Sequence, residues 1–214
     1  MNNLFDAHSH VLWGMDDGSR SLEMSKIMLR EAASSGTTHI FATPHILELG
    51  DLPSWELIKE KAKELQLFAD SENLGIKIIP GGEFYCDFEL LNVKGPGEYC
   101  INGGDSLLVE FPMSYVPNFA EDFFFSLRLK GVKPILAHPE RYGALEKRED
   151  ELLKWREQGL LLQINIGSLL GKYGPGAKAQ AELFLKNKLV DLVGSDAHND
   201  SRRTTDMKPA LIEL

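Results

Sequence analysis

Two histidines near the start of the chain, His8 and His10, are spaced to bind a single cation. Alternate residues of a β-strand point to the same face, so both imidazoles face one way if this segment is a strand. Asp16 and Asp17 follow in a turn that ends at Gly18, and they bring carboxylates to the same region. Imidazole with carboxylate is typical of zinc, manganese and iron sites rather than of thiolate zinc fingers. The spacing therefore predicts a metal site on the first strand.

The elements that must position this site follow from the pattern of apolar residues. Apolar runs alternate with amphipathic segments, which predicts strands followed by helices and therefore a parallel sheet with helices outside it. The stretch 84–102 is irregular and has room for an extra turn or hairpin. The predicted strands are 4–7, 38–43, 76–79, 107–109, 134–137, 160–165 and 189–194, and the predicted helices are 22–33, 55–72, 119–129, 149–157, 177–187 and a short tail at 207–214.

Candidate metal-binding side chains follow six of the seven predicted strands. A barrel gathers all its strand ends around one mouth, whereas an open sheet spreads the ends of its outer strands apart. The sequence therefore predicts one α/β domain over residues 1–214, a (β/α)7 barrel with its site at the carboxyl ends of the strands. These candidate residues are His8, His10, His45, Glu83, Glu110, His138, Asp196 and His198.

Composition excludes several classes of function. The 214 residues carry a formal net charge of −9, which disfavours nucleic acid and anionic membranes as partners. Cys86 and Cys100 form no CxxC pair, so we expect reduced thiols. The amino terminus lacks the pattern of a signal peptide, and no apolar run approaches the ~20 residues of a membrane span. We expect a cytoplasmic protein with no membrane insertion, and the sequence leaves its oligomeric state open.

Seven segments, in order along the chain, resemble those of the PHP (polymerase and histidinol phosphatase) superfamily. Within it the chain is most similar to the bacterial manganese-dependent tyrosine-protein phosphatases of capsular and exopolysaccharide gene clusters. The resemblance extends over nearly the whole chain. The segments are Asp6-Ala7-His8-Ser9-His10, Asp16-Asp17-Gly18, Ala42-Thr43-Pro44-His45, Gly82-Glu83, Val109-Glu110-Phe111-Pro112, Ala137-His138-Pro139-Glu140-Arg141-Tyr142 and Gly194-Ser195-Asp196-Ala197-His198-Asn199.

The resemblance implies a distorted TIM-like barrel of the PHP type with three divalent cations at its mouth. Mn²⁺ is favoured, and Fe or Zn would suit the same ligand types. Arg141 and Arg203 are implied to bind the phosphate of the substrate. The implied ligands are His8, His10, Glu83 and Asp196 for the first cation, Glu83, Glu110 and His138 for the second, and Asp17, His45 and His198 for the third.

The same resemblance implies hydrolysis of phosphotyrosine by a hydroxide that bridges metal ions. The implied substrate is a phosphoprotein, a bacterial tyrosine kinase that governs polysaccharide export. Neither Cys86 nor Cys100 begins the Cys-x5-Arg loop of thiol phosphatases. The alternatives are a small-molecule phosphomonoesterase such as histidinol phosphatase, an exonuclease-like phosphodiesterase disfavoured by the missing basic track, and a metal-holding scaffold without turnover.

Some assignments stay open in the sequence. Asp17 matches the family position for a metal ligand, while Asp16 could cap the turn or orient a ligand. Arg203 and Arg202 are near-equal by residue type as phosphate ligands. His39 lies within a predicted strand and is assigned outside the site. The short loop 46–53, with acidic Glu48 and Asp51, lies where a phosphopeptide could dock.

Overall fold

Parallel strands and helices alternate through the computed structural model, which describes residues 4–47, 52–93, 95–146 and 148–209. The strands are β1 (Leu4–Ser9), β2 (Thr37–Ala42), β3 (His45–Ile46), β4 (Lys77–Pro80), β5 (Glu83–Tyr85), β6 (Ser106–Glu110), β7 (Lys133–Ala137), β8 (Leu161–Asn165) and β9 (Leu192–Gly194). The helices are α1 (Leu22–Ser35), α2 (Trp55–Ser71), α3 (Phe88–Val93), α4 (Ala120–Leu129), α5 (Glu149–Glu157), α6 (Ile166–Leu169) and α7 (Pro175–Lys186).

The first two helices begin and end at residues whose chemistry favours a helix boundary. The Ser21 hydroxyl accepts a hydrogen bond from the backbone N of Met24 at 3.2 Å and caps the start of α1. Gly36 ends the same helix with a φ of 94°, a left-handed conformation that glycine adopts without steric cost. The Ser54 hydroxyl caps α2 in the same way as Ser21 caps α1. The predicted helices in these two regions are confirmed to within two residues at each end.

The strands pair in parallel in two sheets, with orders β1-β2-β4 and β3-β5-β6-β7-β8-β9. The predicted α/β class with parallel sheets is therefore confirmed. The ladders of the described residues do not close into one barrel, which differs from the prediction. The sheets nevertheless meet at the end of β1, where Ser9 forms a single parallel bridge with Ala197, and the backbone N of His10 donates to the Ala197 carbonyl at 2.9 Å.

Two short strands near the site were not predicted. β3 follows β2 after only two residues, and β5 follows β4 after Gly81 and Gly82. Segments of two and three residues are too short to show an alternating pattern, so periodicity cannot detect them. The described part of the stretch predicted as irregular, with room for an extra turn or hairpin, contains the end of β5, α3 and two 3₁₀ turns at Pro96–Tyr99 and Ile101–Gly103. Glu48, Asp51 and the last five residues of the predicted helical tail lie outside the described residues.

The helices bury one face against the sheets and so form the main core. Phe123 and Phe124 on α4 are fully buried, and Phe124 packs edge-on against Trp155 of α5 with ring centroids 5.5 Å apart. Phe125, the next residue, is half-exposed, as expected for the outer face of an amphipathic helix. Within the parts of the chain that the structure describes, every helix is too short or too polar to cross a membrane.

Candidate metal centre

Four buried side chains converge at the end of β1, the start of β5 and the segment just after β9, and we call them the inner cluster: His8, His10, Glu83 and Asp196. The Nε2 atoms of His8 and His10 lie 3.1 Å apart. Glu83 Oε2 lies 3.1 Å from His8 Nε2 and 3.3 Å from His10 Nε2, and Asp196 Oδ1 lies 3.5 Å from His10 Nε2. The predicted residues therefore meet at one point, although 188 positions separate the first from the last.

A second group lies nearer the solvent, and we call it the outer cluster: Asp17, His45 and His198. Asp17 Oδ1 lies 3.3 Å from His198 Nε2 and 3.5 Å from His45 Nε2. The side chain of Asp17 is 71% exposed, whereas that of His198 is 5% exposed. The two clusters adjoin through His45, whose Nδ1 lies 3.1 Å from Oε2 of Glu83.

The donor atoms of the inner cluster fit a divalent cation. Glu83 Oε2 is buried and makes no hydrogen bond of accepted geometry within the described residues, although three imidazole nitrogens lie within 3.3 Å of it. An unsatisfied buried carboxylate oxygen is costly in a folded protein. Imidazole nitrogens together with carboxylate oxygens are the ligands that first-row transition metals commonly bind. In this site, groups of three or four such atoms lie within 4.8 Å of one another.

Two glycines allow the strands to approach this closely. A Cβ atom on Gly194 would lie 2.6 Å from the Cβ of His8, and one on Gly18 would lie 2.4 Å from the Cβ of His10. Both distances are far shorter than any carbon–carbon contact that packing allows. Gly18 and Gly194 are therefore required for the backbone to pass beside the two histidines of β1.

Two of the candidate ligands hold unusual backbone conformations. His138, directly after β7, has a φ of 36°, and Asp196, two residues after β9, has a φ of 51°. Residues other than glycine adopt this left-handed region at a cost on the order of 1–3 kcal/mol. The backbone N of Asp196 donates to the carbonyl of His8 at 2.8 Å, which holds this conformation in place. Strain of this kind clusters at functional sites.

The electrostatics of the site keep its acids ionised. Burial raises the pKa of Glu83 and Asp196, but the neighbouring histidines outweigh it and hold both pKa values well below the usual range. For His10 burial has the opposite effect and lowers the pKa. The Asp16 carboxylate beside this histidine outweighs burial and raises the pKa of His10 well above its usual value. Burial and the neighbouring His10 lower the pKa of His198. Protons and a cation therefore compete for the same nitrogens.

Asp16 and Asp17 occupy different places. Asp16 accepts from Nδ1 of His10 at 2.7 Å and from the backbone N of Gly18 at 2.9 Å. It thus caps the turn and orients a histidine, while its neighbour Asp17 faces His198. This geometry agrees with the assignment of Asp17, rather than Asp16, as a candidate ligand.

Two other predicted placements differ in detail. Glu110 Oε1 lies 2.8 Å from His45 Nδ1, so Glu110 adjoins His45 rather than His138, with which the resemblance grouped it. His138 Nε2 instead lies 3.1 Å from Glu83 Oε1. His39 lies apart from both clusters, where its ring stacks on Phe5 with centroids 4.3 Å apart.

Two arginines reach the same carboxylate from the rim of the site. Arg141 Nη1 lies 2.8 Å from Asp196 Oδ2, and Arg203 Nη2 lies 2.6 Å from Asp196 Oδ1. Arg202 is exposed to solvent, so the geometry favours Arg203 over its neighbour. The ring of Tyr173 lies beneath both guanidinium groups, 4.3 Å from Arg141 and 6.0 Å from Arg203.

Three residues of the site escaped the sequence reasoning. Gln163 Oε1 lies 3.0 Å from Nδ1 of His8, and Asn165 Nδ2 donates to Asp196 Oδ2 at 2.6 Å. Two polar residues at alternate positions of an otherwise apolar strand were the available signal for Gln163 and Asn165. Tyr173 lies in a loop before α7, and nothing in the local sequence marks it.

The residues that form this site lie within the part of the chain that matches known proteins. The sequence profile of the capsular polysaccharide synthesis family CpsB/CapC matches residues 4–213. The chain belongs to the CpsB/CapC family. The expected resemblance to tyrosine-protein phosphatases of capsule gene clusters is confirmed, because proteins similar to this chain carry that name.

Named CpsB/CapC relatives match this chain nearly from end to end. The tyrosine-protein phosphatase YwqE of Bacillus subtilis is 32% identical over 212 residues, which are 99% of this chain and 84% of the relative. The tyrosine-protein phosphatase CpsB of Streptococcus pneumoniae is 29% identical over 214 residues, 97% of this chain and 88% of the relative. A crystal structure from work on these two proteins, described as unique metal-dependent tyrosine phosphatases, matches with a TM-score of 0.89 and 32% identity over 98% of this chain and 85% of the other.

Proposed function

We propose that this chain is a metal-dependent protein-tyrosine phosphatase. The observation that carries the proposal is the convergence of imidazoles and carboxylates around the unsatisfied Oε2 of Glu83. Family membership and the name and description of YwqE and CpsB support the same activity.

Three divalent cations, with Mn²⁺ favoured over Fe or Zn, are the cofactor we propose. Glu83 Oε2 lies 3.1 Å from His8 Nε2 and Glu83 Oε1 lies 3.1 Å from His138 Nε2, so this carboxylate would contribute to the sites of both histidines. When bound, such cations supply positive charge for phosphate oxygens and a lowered pKa for water. The proposed ligands are His8, His10, Glu83 and Asp196 for one cation, Glu83, Glu110 and His138 for a second, and Asp17, His45 and His198 for the third.

The charge of the site explains why the metal is needed. Four ligand carboxylates and Asp16 against two arginines leave three negative charges, which protonated His10 and His45 largely offset in the metal-free site. Three divalent cations would displace those protons and give the site a net positive charge, which favours a phosphate dianion.

Arg141 and Arg203 hold the substrate phosphate in this proposal. Both guanidinium groups are partly exposed, 18% and 29%, and both lie against Asp196. Guanidinium groups donate paired hydrogen bonds that match phosphate oxygens. Phosphoryl transfer depends mainly on positioning and charge, so no cysteine or serine nucleophile is required.

The finer points of architecture and substrate are also proposals. We infer that the two sheets together make a distorted seven-stranded barrel, because the backbone N atoms of Gly81 and Glu83 donate to the carbonyls of Ala42 and Pro44 between the two ladders and because Ser9 bridges to Ala197. We propose phosphotyrosine of a bacterial tyrosine kinase as the substrate, with a small-molecule phosphomonoesterase such as histidinol phosphatase as the alternative. A cytoplasmic location stays a prediction from the sequence.

Removal of metal tests the function. We expect exhaustive chelation to abolish hydrolysis of a phosphotyrosine peptide and to abolish the binding of inorganic phosphate, with Mn²⁺ restoring both. The apoprotein is checked for metal by elemental analysis, and rates on the peptide and on histidinol phosphate are compared. An unchanged rate in verified apoprotein contradicts the metal requirement, and faster hydrolysis of histidinol phosphate favours the alternative.

A further inference from the structure

Two buried amides lie between two of the proposed ligands. Gln163 and Asn165 are alternate residues at the end of β8 and have no measurable exposure to solvent. Their side chains form a continuous line of hydrogen bonds from His8 at one end to Asp196 at the other. We call this line the amide relay.

The direction of every hydrogen bond in the amide relay follows from its end at Asp196. An ionised carboxylate only accepts, so the amide NH₂ of Asn165 donates to Asp196 Oδ2 at 2.6 Å. The Oδ1 of Asn165 then accepts from the NH₂ of Gln163 at 3.0 Å. The same NH₂ donates to the carbonyl of Ile164 at 2.7 Å, which fixes the orientation of the Gln163 amide independently.

One proton position on His8 follows from this orientation. The Oε1 of Gln163 lies 3.0 Å from His8 Nδ1 and can only accept, so Nδ1 must carry the hydrogen. A neutral imidazole carries one hydrogen, so its other nitrogen, Nε2, presents a lone pair. That Nε2 is the atom that faces His10 and Glu83 in the inner cluster.

We propose that Gln163 and Asn165 are positioning residues that hold His8 in its Nδ1–H tautomer and fix the orientation of Asp196 toward a bound divalent cation. The proposal rests on the proposed metal site. Metal-binding histidines commonly donate their second nitrogen to a polar partner, and loss of that partner weakens metal binding by roughly 10–100-fold. In this chain a single pair of amides contacts two proposed ligands from different parts of the fold, His8 on β1 and Asp196 after β9.

The surroundings of the amide relay hold it rigid. The carboxylate of Glu140 accepts from the backbone N of Asn165 at 3.0 Å and from the Ser168 hydroxyl at 2.6 Å. Two amides buried without a function would be poor core residues, because any missing hydrogen bond costs about 1–3 kcal/mol. An aliphatic pair on this strand would avoid that risk, so the polar pair is best explained by the ligands that it contacts.

Substitution of Gln163 tests the relay through metal affinity. Gln163→Met has a similar shape and removes the acceptor for His8, so we expect the tightest Zn²⁺ affinity of apoprotein, measured by competition with a chromophoric chelator, to fall roughly 10–100-fold. Gln66→Met is the matched control, because Gln66 is a half-buried glutamine bonded to the backbone of Ile76 and Ile78 away from the site. We expect the control to keep the wild-type affinity.

The tautomer of His8 gives a second readout that a merely structural role would not change. In ¹⁵N-labelled, metal-free protein at a pH where His8 is neutral, two-bond ¹H–¹⁵N spectra should show the hydrogen on Nδ1 in the wild type and a loss of that preference in Gln163→Met. Gln163→Glu keeps an acceptor at this position and should keep that tautomer.

Each outcome decides the proposal. A hydrogen on Nε2 of neutral His8 in the metal-free wild type overturns it, even if Gln163→Met fails to fold. Wild-type affinity in a folded Gln163→Met protein also overturns it and leaves the metal site standing. Wild type that binds no Zn²⁺ overturns the metal site itself, together with this proposal.

Discussion

The inner and outer clusters use the same residue types and differ most in the exposure of one carboxylate. His8, His10 and Glu83 have no measurable exposure, whereas in the outer cluster the Asp17 side chain is 71% exposed and that of His198 only 5%. Each inner histidine has a fixed partner for its second nitrogen, Gln163 for His8 and Asp16 for His10. Buried polar groups need such partners, and exposed ones can rely on water. The inner cluster is therefore set by the fold, while the exposed carboxylate of Asp17 leaves the outer cluster one ligand that can adjust to an ion or a substrate.

The largest effect is expected at the carboxylate shared by both clusters. Glu83→Gln removes the charge that lies within 3.3 Å of three imidazoles, so metal retention and phosphatase rate should fall by more than about 100-fold, beyond the loss typical of an outer-shell partner. Elemental analysis of the purified variant and its rate on a phosphotyrosine peptide check this. A variant that retains all its metal would contradict the proposal that Glu83 is a ligand shared by two cations.

The pH dependence of metal binding should report the proton that His45 of the outer cluster holds before a cation binds. Burial lowers the pKa of His45, but the carboxylates of Glu110 and Glu83 outweigh it and raise that pKa to about 10. Metal-free His45 is therefore protonated below about pH 10, and a cation must displace that proton. Affinity of the outer cluster should fall about 10-fold for each pH unit lowered between pH 9 and 7. Mn²⁺ titrations at several pH values measure the slope, and a flat profile would contradict the protonated state of His45.

A smaller effect is expected from the exposed acid of the outer cluster. Asp17→Asn should reduce the rate about 10-fold, within the range for a partly solvated ligand, while the inner cluster keeps its metal. Asp16→Asn is the variant for comparison, because the neighbouring Asp16 accepts from His10 and so supports the inner cluster instead. The number of bound metal ions should fall by one in Asp17→Asn. Equal loss of inner metal in both variants would erase the distinction between the clusters.

The smallest effect is expected at the rim. Tyr173→Leu removes the ring that lies 4.3 Å from the Arg141 guanidinium, so the inhibition constant for inorganic phosphate should rise roughly 3–10-fold, in line with the strength of cation–π contacts. Metal content should not change. Tyr173→Phe keeps the ring and serves as the control, and a similar loss in both variants would assign the effect to the hydroxyl.

Helix boundaries and ligand types were accessible to sequence reasoning for local reasons. Ser21, Ser54 and Gly36 act through hydrogen bonds and φ values within one turn of chain. β3 and β5 were missed because each gains its stability from a neighbouring strand rather than from its own pattern. Tyr173 was missed because its arginine partners are distant in the sequence.

By itself the sequence indicated which side chains could bind a cation and predicted that most of them lie near strand ends, since both depend on residue type and on short-range spacing. Only the tertiary structure decided that Glu110 adjoins His45, that Asp16 supports His10 while Asp17 faces the outer cluster, and that Gln163 and Asn165 link His8 to Asp196. These contacts join residues on separate strands and loops. Their distances depend on how the strands pair and twist, which no local pattern of residues specifies.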